Sequence, residues 1–229
     1  MAVWEGNRFR DRREAGQLLA EQLRHIPMVR PVVLAIPRGG VVVGAALAEA
    51  LQAELDVILS RKLRAPFQPE YALGAIAEDG SILLNPEALP LIQGADEYLE
   101  AERRYQLQEI ARRQGLIRAI RPAAEVTGRT VIITDDGVAT GSTALAALQT
   151  VHARHPRELI LAVPVGPPER LRALARHCDR LIYLLAPDDF HAVGQYYDSF
   201  EPVEDEDVAQ LLRDAYQQYQ SSFQGFTRE

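Results

Sequence analysis

Cysteine is almost missing from this sequence, since Cys178 is the single example among 229 residues. One thiol cannot form an internal disulfide, and it cannot build a cysteine-based metal cage. Long apolar runs are missing as well, because no stretch approaches the roughly 20 uninterrupted apolar residues of a membrane span. The first residues contain no apolar segment of the signal-peptide type. We therefore expect a cytoplasmic protein that makes no membrane contact.

Lysine is equally scarce, and the charge balance is acidic. Lys62 is the only lysine among 25 basic residues, against 32 acidic ones, which gives a formal net charge of -7. General affinity for nucleic acid requires a basic surface, so direct nucleic-acid binding is not expected. A small anionic ligand remains compatible with this charge, because one local pocket with a few donors can hold it.

Short apolar runs alternate with helical patterns over most of the chain. A helical pattern at 9–23 precedes the β-branched run VVLAI at 32–36, which is typical of a strand buried on both faces. Further helical patterns and apolar runs follow at 42–51, 56–62, 130–134, 142–153, 158–164, 168–177, 180–185 and 205–222. This order predicts one α/β domain, residues 1–229, with a central parallel sheet flanked by helices.

The alternation is interrupted between about residues 64 and 124, which we interpret as an insertion. Residues 71–85 resemble a β-hairpin that turns at Asp79-Gly80, and residues 95–118 follow a polar, charge-rich helical pattern. We expect this helix to be solvated or to face a partner, for example a second copy of the chain. The loosely patterned segment 64–80 is a candidate for a flexible lid.

The stretch VIITDDGVATGST, residues 131–143, combines an apolar strand, two adjacent acids and a loop of small residues. Asp135 and Asp136 fall where the strand ends, at the edge of a parallel sheet where ligands bind. The loop and the first helical turn are formed by Ala139, Thr140, Gly141, Ser142 and Thr143. Unpaired N–H groups at a helix start favour an anion there. An ordinary strand–turn–helix with an N-terminal cap is the alternative.

The two acids cannot contact a phosphate held by this loop, because like charges repel. They must instead accept hydrogen bonds from a group attached to the phosphate. Vicinal hydroxyls of a ribose supply two donors for Asp135 and Asp136, while a 5-phosphate reaches residues 139–143. A Walker A loop is excluded because lysine is missing after Gly141. The stretch therefore indicates a sugar phosphate as the ligand.

Segment 131–143 resembles the phosphoribosyl pyrophosphate (PRPP) binding signature of the type I phosphoribosyltransferases, in which apolar residues and two acids precede a Thr-Gly-x-Thr loop. The resemblance extends over residues 30–62 and 129–200. It implies the type I phosphoribosyltransferase fold and a Mg²⁺-dependent reaction in which a nitrogenous base displaces pyrophosphate from C1 of PRPP. PRPP and a small base are then the partners, and because relatives are commonly oligomeric we expect a homodimer.

Residues 35–48 (AIPRGGVVVGAALA) resemble the pyrophosphate loop of the same family. The resemblance assigns Arg38, Gly39 and Gly40 to the pyrophosphate, and it implies a cis peptide bond within this loop. Arg38 would offer a fork of donors, and the two glycines would let backbone N–H groups face the same oxygens. The alternative is an ordinary βα turn with an exposed arginine.

Arg61 and Lys62 are expected to end the second strand, at the same edge of the sheet. In relatives a basic residue at this place reaches the pyrophosphate, which makes Lys62 a catalytic candidate beside Arg38, Asp135 and Asp136. Because neighbouring strand residues face opposite ways, we expect only one of the two basic residues to point into the site. A solvated strand end is the alternative.

Residues 188–200 (DDFHAVGQYYDSF) resemble the purine-salvage branch, hypoxanthine-guanine phosphoribosyltransferases in particular. The resemblance implies a small hood over about 186–204, in which Phe190, Val193 and Tyr196 are candidates for contact with the base. Phe190 is displaced by one position from the family pattern, and Tyr196 and Tyr197 are the alternatives to it for stacking or packing. A loop that packs into the core is the other interpretation of this stretch.

The resemblance also implies metal ligands, and the sequence departs from the family pattern at one position. Asp198 aligns with an acid that helps to hold Mg²⁺, and Asp135 is the second candidate ligand. Ala139 stands where oxopurine-salvage enzymes have an acid that handles a proton on the purine ring. Hypoxanthine or guanine is therefore not expected as substrate by the usual mechanism, and the base is left open.

Two other classes of function remain compatible with the sequence. The chain could be a regulator that senses PRPP without turning it over, acting through protein partners. It could instead be a hydrolase or phosphorylase of a phosphoribosylated metabolite. Release of pyrophosphate in the presence of a base separates the transferase from both alternatives.

Overall fold

The structure of the protein is a computed structural model, which describes residues 6–66, 68–84 and 96–224. Its helices are α1 (Arg12–Leu23), α2 (Gly39–Leu51), α3 (Asp96–Arg118), α4 (Ser142–His152), α5 (Pro168–Leu174) and α6 (Asp205–Gln224). Its strands are β1 (Val32–Ala35), β2 (Glu54–Val57), β3 (Arg61–Ala65), β4 (Gln68–Ile76), β5 (Ile82–Leu84), β6 (Thr130–Thr134), β7 (Glu158–Val165) and β8 (Arg180–Leu185).

Five strands form a parallel sheet in the order β2-β1-β6-β7-β8. The inner strands β1, β6 and β7 are almost entirely buried, because their apolar side chains on both faces require cover on both sides. Helices α1, α2 and α6 pack on one face, and α4 and α5 pack on the other. The predicted α/β fold, a central parallel sheet flanked by helices, is confirmed.

A separate antiparallel sheet, β3-β4-β5, and the helix α3 occupy the region of the predicted insertion, although β3 begins at Arg61, before the predicted start at about residue 64. In the hairpin of β4 and β5 the Ala77 N–H donates to the carbonyl of Ser81, and Gly80 has a φ of 81°. The predicted turn at Asp79-Gly80 and the predicted helix at 95–118 are therefore confirmed, although residues 85 and 95 at their ends lie outside the described residues.

The predicted strand at 56–62 is wrong in its second half. The β1–β2 ladder ends at the pair Ala35 and Val57, and the Ile58 N–H makes the last bond, to the Ala35 carbonyl. Pro37 follows shortly after β1 and has no N–H, so the ladder cannot continue. Arg61 instead pairs with Ile76 and begins the second sheet.

Arginine–carboxylate pairs attach the insertion to the central sheet. Arg118 at the end of α3 lies 2.9 Å from Asp56 Oδ1 through Nη1 and 2.7 Å from Glu78 Oε2 through Nη2. Asp56 belongs to β2 and is 1% exposed, so its charge depends on this partner. Within the insertion, Arg64 Nε lies 2.7 Å from Glu102 Oε1. These pairs set the position of α3 over the edge of the central sheet.

The segment before α1 joins the predicted hood by backbone pairing. The Phe9 N–H donates to the carbonyl of Tyr196, and the Asp198 N–H donates to the carbonyl of Phe9, each at 2.8 Å. The rings of Phe9 and Tyr197 lie 5.2 Å apart in a small buried cluster. The hood therefore includes residues near the start of the described chain, about 190 positions from their partners. No helix in the described ranges has the length and apolar composition to cross a membrane.

Candidate active site

The two adjacent acids Asp135 and Asp136, called the acid pair below, lie at the carboxyl end of β6, in the middle of the central sheet. The Asp136 N–H donates to Asp135 Oδ1 at 2.8 Å, so the two residues are held in a tight local turn. Both are half-buried. Because β1 lies beside β6, the loop that follows β1 meets the acids at the same edge.

Gly39 and Gly40, at the start of α2, contact the acid pair directly. A Cβ on Gly39 would overlap Asp136 Oδ2 and lie 2.7 Å from its Cγ, and a Cβ on Gly40 would lie 2.8 Å from the Asp135 Cα. Real Cβ atoms do not approach other atoms so closely, so both positions need glycine. The peptide bond between Pro37 and Arg38 is cis, as the resemblance implies. Sequence reasoning gave the two glycines a phosphate-binding role only and missed this contact.

Asp136 already has a cationic partner within the chain. Arg12 Nε lies 2.8 Å from Asp136 Oδ2, and only 10% of the Arg12 side chain and 17% of that of Asp136 are exposed. Arg12 also donates to the carbonyl of Glu201 at 2.8 Å and lies over the ring of Phe200. No motif marks Arg12 in the sequence, because its partner lies 124 positions away.

Asp135 has a different electrostatic environment from its neighbour. Burial raises the pKa of the Asp135 carboxyl well above its usual range, and the charge of Asp136 raises that pKa further, while Arg12 acts in the opposite direction. Among the described residues no cation lies within ion-pair distance of Asp135. The carboxylate of Asp135 therefore favours a proton, a hydrogen-bond donor or a cation supplied by a ligand.

The small-residue loop leads into α4 with an open helix start. Gly141 is the N-cap residue, with a φ of 82°, and as a glycine it has no side chain to cap the helix. The Ser142 N–H makes a long hydrogen bond of 3.5 Å to Thr140 Oγ1, and Ala139, Thr140 and Thr143 are exposed. Helix-start amides beside exposed hydroxyls form an arrangement that suits an oxyanion.

Arg38, Arg61 and Lys62 lie at the same edge but differ in their contacts. Arg38 makes an exposed ion pair with Glu204, 2.8 Å between Nη1 and Oε2. Arg61 donates from Nε to Gln106 Oε1 at 2.9 Å. Arg61 and Lys62 both line a cavity of about 310 Å³ together with Pro37 and Thr143. The predicted place of these residues is wrong, because they begin a strand of the second sheet rather than end one of the first, whereas the expectation that only one of them points into the site stays a prediction.

The predicted base-contacting residues lie together in the hood. The rings of Phe190 and Tyr196 stack at 5.6 Å with an angle of 15° between their planes. Val193 packs against Gly137, where an added Cβ would lie 2.6 Å from Val193 Cγ1. The Tyr197 hydroxyl donates to the Asp136 carbonyl at 2.6 Å, and burial raises the pKa of this phenol. Tyr197 thus connects the hood to the acid pair.

Asp198 does not share a cluster with the acid pair. Arg8 Nε lies 3.1 Å from Asp198 Oδ1 in an exposed ion pair. Within the described ranges, no group of three or more His, Cys, Asp or Glu side chains is arranged to hold a metal ion. The assignment of Asp198 to Mg²⁺ therefore stays a prediction.

A parallel sheet with two acids at its centre, a closely packed glycine loop on one side and a helix start on the other is the arrangement that the resemblance to phosphoribosyltransferases implies. The chain belongs to that family, because residues 11–201 match the model of the phosphoribosyl transferase domain. A protein of Mycobacterium tuberculosis (strain ATCC 25618 / H37Rv) provisionally named a phosphoribosyl transferase is 41% identical over 211 residues, which cover 92% of this chain and 48% of that protein. The chain thus spans about half the length of the curated relatives that it matches.

A solved structure of high similarity is that of TT1426 from Thermus thermophilus. It is 46% identical, covers 90% of this chain and 98% of its own, and superposes with a TM-score of 0.86. Because both chains are covered almost completely, the two proteins share most of their fold.

Proposed function

We propose that the protein transfers the 5-phosphoribosyl group of PRPP to a nitrogenous base, releases pyrophosphate and depends on Mg²⁺. The observation that carries this proposal is the contact between the acid pair and Gly39-Gly40. It brings the sugar-binding acids, the start of α2 and the open start of α4 to one edge of the sheet. Family membership supports the same reaction class.

The two acids would bind the ribose in different ways. Asp136 is neutralised by Arg12 and fixed by Tyr197, so its carboxylate accepts hydrogen bonds from a rigid position. Asp135 has no such cation and gains most from a donor or cation brought by the ligand. A ribose with two hydroxyls would satisfy both carboxylates, and its 5-phosphate would bind residues 139–143.

The departing pyrophosphate would lie beside the loop that starts at Pro37. Negative charge grows on this group as the bond to C1 breaks, so preorganised donors there stabilise the transition state. Arg38 can turn toward it at little cost, because its ion pair with Glu204 is exposed. Lys62 and Arg61 border the neighbouring cavity and can contribute from the other side.

Mg²⁺ fits this site as an ion that arrives with the substrate. Magnesium in phosphate-binding sites is usually held by one or two carboxylates together with substrate oxygens, so a three-carboxylate cage is not required. Asp135 would hold it, because its carboxylate is half-buried and has no cation partner within the described chain. The ion would supply neutralisation of pyrophosphate charge. Asp198 would first have to leave Arg8 to join it.

The hood would receive the base between Phe190, Val193 and Tyr196, which pack next to the acid pair. Ala139 supplies no acid for a proton on an oxopurine, so we place hypoxanthine and guanine outside the preferred substrates. We also propose, from the family, that the protein is a homodimer. Sedimentation that shows a monomer at high protein concentration would contradict this.

The test is to incubate the protein with PRPP, Mg²⁺ and a panel of bases and to measure pyrophosphate and the nucleotide product. Stoichiometric pyrophosphate and nucleotide with at least one base supports the transferase. Tight PRPP binding with no turnover on any base contradicts transfer and favours a sensor. Ribose 5-phosphate released without a base contradicts it in favour of a hydrolase.

A further inference from the structure

The cavity beside the pyrophosphate loop is walled on one side by the insertion. It is about 310 Å³ in volume and lies between the end of β1, the first turn of α4 and one face of α3. Pro37 and Thr143 belong to the two segments proposed to bind phosphates, and both line it. Whatever occupies this cavity is therefore in contact with the PRPP site.

The charges around the cavity are unbalanced. Arg61, Lys62, Arg64 and Arg113 line it, whereas Glu109 is the acidic residue among the lining side chains of the described chain. Of the arginines, Arg64 is committed to an ion pair with a glutamate of α3. Apolar side chains form the floor, which lowers the local dielectric and strengthens the attraction for an anion.

Among the basic residues that line the cavity, Arg113 has no evident partner in the described part of the chain. Its neighbours on α3 have carboxylate partners: Arg112 lies 2.9 Å from Asp205, and Arg118 pairs with two acids. Arg113 is half-buried, yet it makes no hydrogen bond or ion pair within 4 Å among the described residues. A half-buried guanidinium normally has such a partner.

The groups that face Arg113 are mostly of its own sign. Burial lowers the pKa of the Arg113 guanidinium, and the nearby cations Arg61, Arg112 and Arg38 lower it further, whereas Asp205 acts in the opposite direction. Repulsion among these cations is relieved when an anion lies between them. The potential is therefore most favourable to an anion in the part of the cavity that Arg113 and Arg61 line.

We propose that Arg113 of α3 is a further binding residue for the pyrophosphate group of the ribosyl donor, beside the already assigned Arg61. The insertion then supplies a side chain that binds the substrate, in addition to lining one side of the cavity. This inference rests on the proposed function, since it assigns one end of PRPP to the cavity. A planar guanidinium offers two parallel donors to phosphate oxygens, which an unpaired Arg113 can provide without breaking another contact.

The test is calorimetric titration of Arg113→Gln with inorganic pyrophosphate plus Mg²⁺ and, separately, with ribose 5-phosphate. Loss of one charge-assisted pair should weaken pyrophosphate binding by about tenfold. Ribose 5-phosphate affinity should change much less, because this ligand lacks the pyrophosphate group and its own phosphate is proposed to bind residues 139–143, of which only Thr143 borders the cavity. Arg113→Lys should recover part of the loss. Arg104→Gln, an exposed position on the same helix that contacts only a backbone carbonyl among described residues, is the matched control and should change neither affinity.

Two results overturn this role of Arg113. Unchanged pyrophosphate affinity in Arg113→Gln does so, and a raised KM for the accepted base alongside it would assign the cavity to an acidic acceptor instead. An equal loss for both ligands also does so, because it indicates general disturbance. These results are distinct from failure of the proposed function, in which the unaltered protein would bind PRPP without turnover on any base, or would release ribose 5-phosphate without one.

Discussion

At the carboxyl edge of the central sheet the site is fixed by backbone contacts, whereas the insertion is fixed by long charged side chains. Gly39 and Gly40 touch the acid pair with no room for a methyl group, and the Asp136 N–H closes the turn onto Asp135. Across the insertion, by contrast, Arg118 spans two carboxylates from different segments. The difference teaches that positions 39 and 40 tolerate no added atom, whereas the attachment of α3 to the sheet does not tolerate the loss of a charge.

The sharpest way to break this comparison is to add one methyl group to each region. Gly39→Ala should push the Asp136 carboxylate out of position, which we expect to lower PRPP affinity by about 100-fold and to destabilise the fold by about 1–3 kcal/mol. Calorimetry and urea unfolding measure the two effects.

Gly115→Ala is the control for that experiment, because a Cβ at this position in α3 meets nothing within 4 Å. It should raise the free energy of unfolding by up to about 1 kcal/mol, through the higher helix propensity of alanine, and leave PRPP affinity unchanged. PRPP affinity in Gly39→Ala equal to that of the unaltered protein would contradict the steric account of the edge.

Removing a charge from the insertion should produce the next largest effect. Arg118→Gln leaves the buried carboxylate of Asp56 without its main partner, so we expect a loss of about 3 kcal/mol in the free energy of unfolding. Hydrogen exchange should show the largest loss of protection in α3. Arg104→Gln removes an exposed charge from the same helix and should change stability by no more than about 0.5 kcal/mol. Equal stability of the two variants would show that Arg118 does not hold the insertion in place.

The smallest expected effect is a difference in thermal stability between variants of the two adjacent acids. Burial raises the pKa of the Asp135 carboxyl, so removing its charge in Asp135→Asn should stabilise the protein at neutral pH. The native state binds the Asp135 proton more tightly than the unfolded state, so the cost of that charge grows as pH rises through the native pKa and vanishes at low pH. The gain in melting temperature should therefore increase from pH 4 to pH 7, by about 2–4 °C for each kcal/mol.

Asp136→Asn should act in the opposite direction, because it removes the ion partner of the largely buried Arg12. A melting temperature that falls in both variants, or rises in both, would show that the two carboxylates share one environment. Thermal melts across the pH range provide this comparison directly.

The central sheet could be predicted from the sequence, because each of its elements is recognisable within its own short segment. Each inner strand is a short β-branched run and each following helix has its own periodicity, so segments such as 130–134 and 180–185 were predicted with the bounds that the structure shows. Asp135, Asp136 and the loop 139–143 were recognisable because motif and strand end are contiguous in sequence. Their arrangement at one edge then follows from parallel topology.

The contacts that were not predicted are all between distant segments. Arg12 meets Asp136 across 124 positions, and Arg8 holds Asp198. The strand that was expected to continue to Lys62 stops at Val57, because its neighbour β1 runs into Pro37 and offers no further partner. Local patterns specify which residues form a strand, but the length of a ladder depends on two strands at once.

The central claim is that Asp135 holds the sugar of PRPP, and calorimetric titration of Asp135→Asn with PRPP and Mg²⁺ tests it most directly. Because this variant should fold at least as stably as the unaltered protein, a loss of binding cannot be attributed to unfolding. The account predicts measurable PRPP binding by the unaltered chain and a reduction of about 10- to 100-fold in the variant, the value of a charged hydrogen bond. Equal affinity in the two proteins, or no binding by the unaltered one, would contradict it.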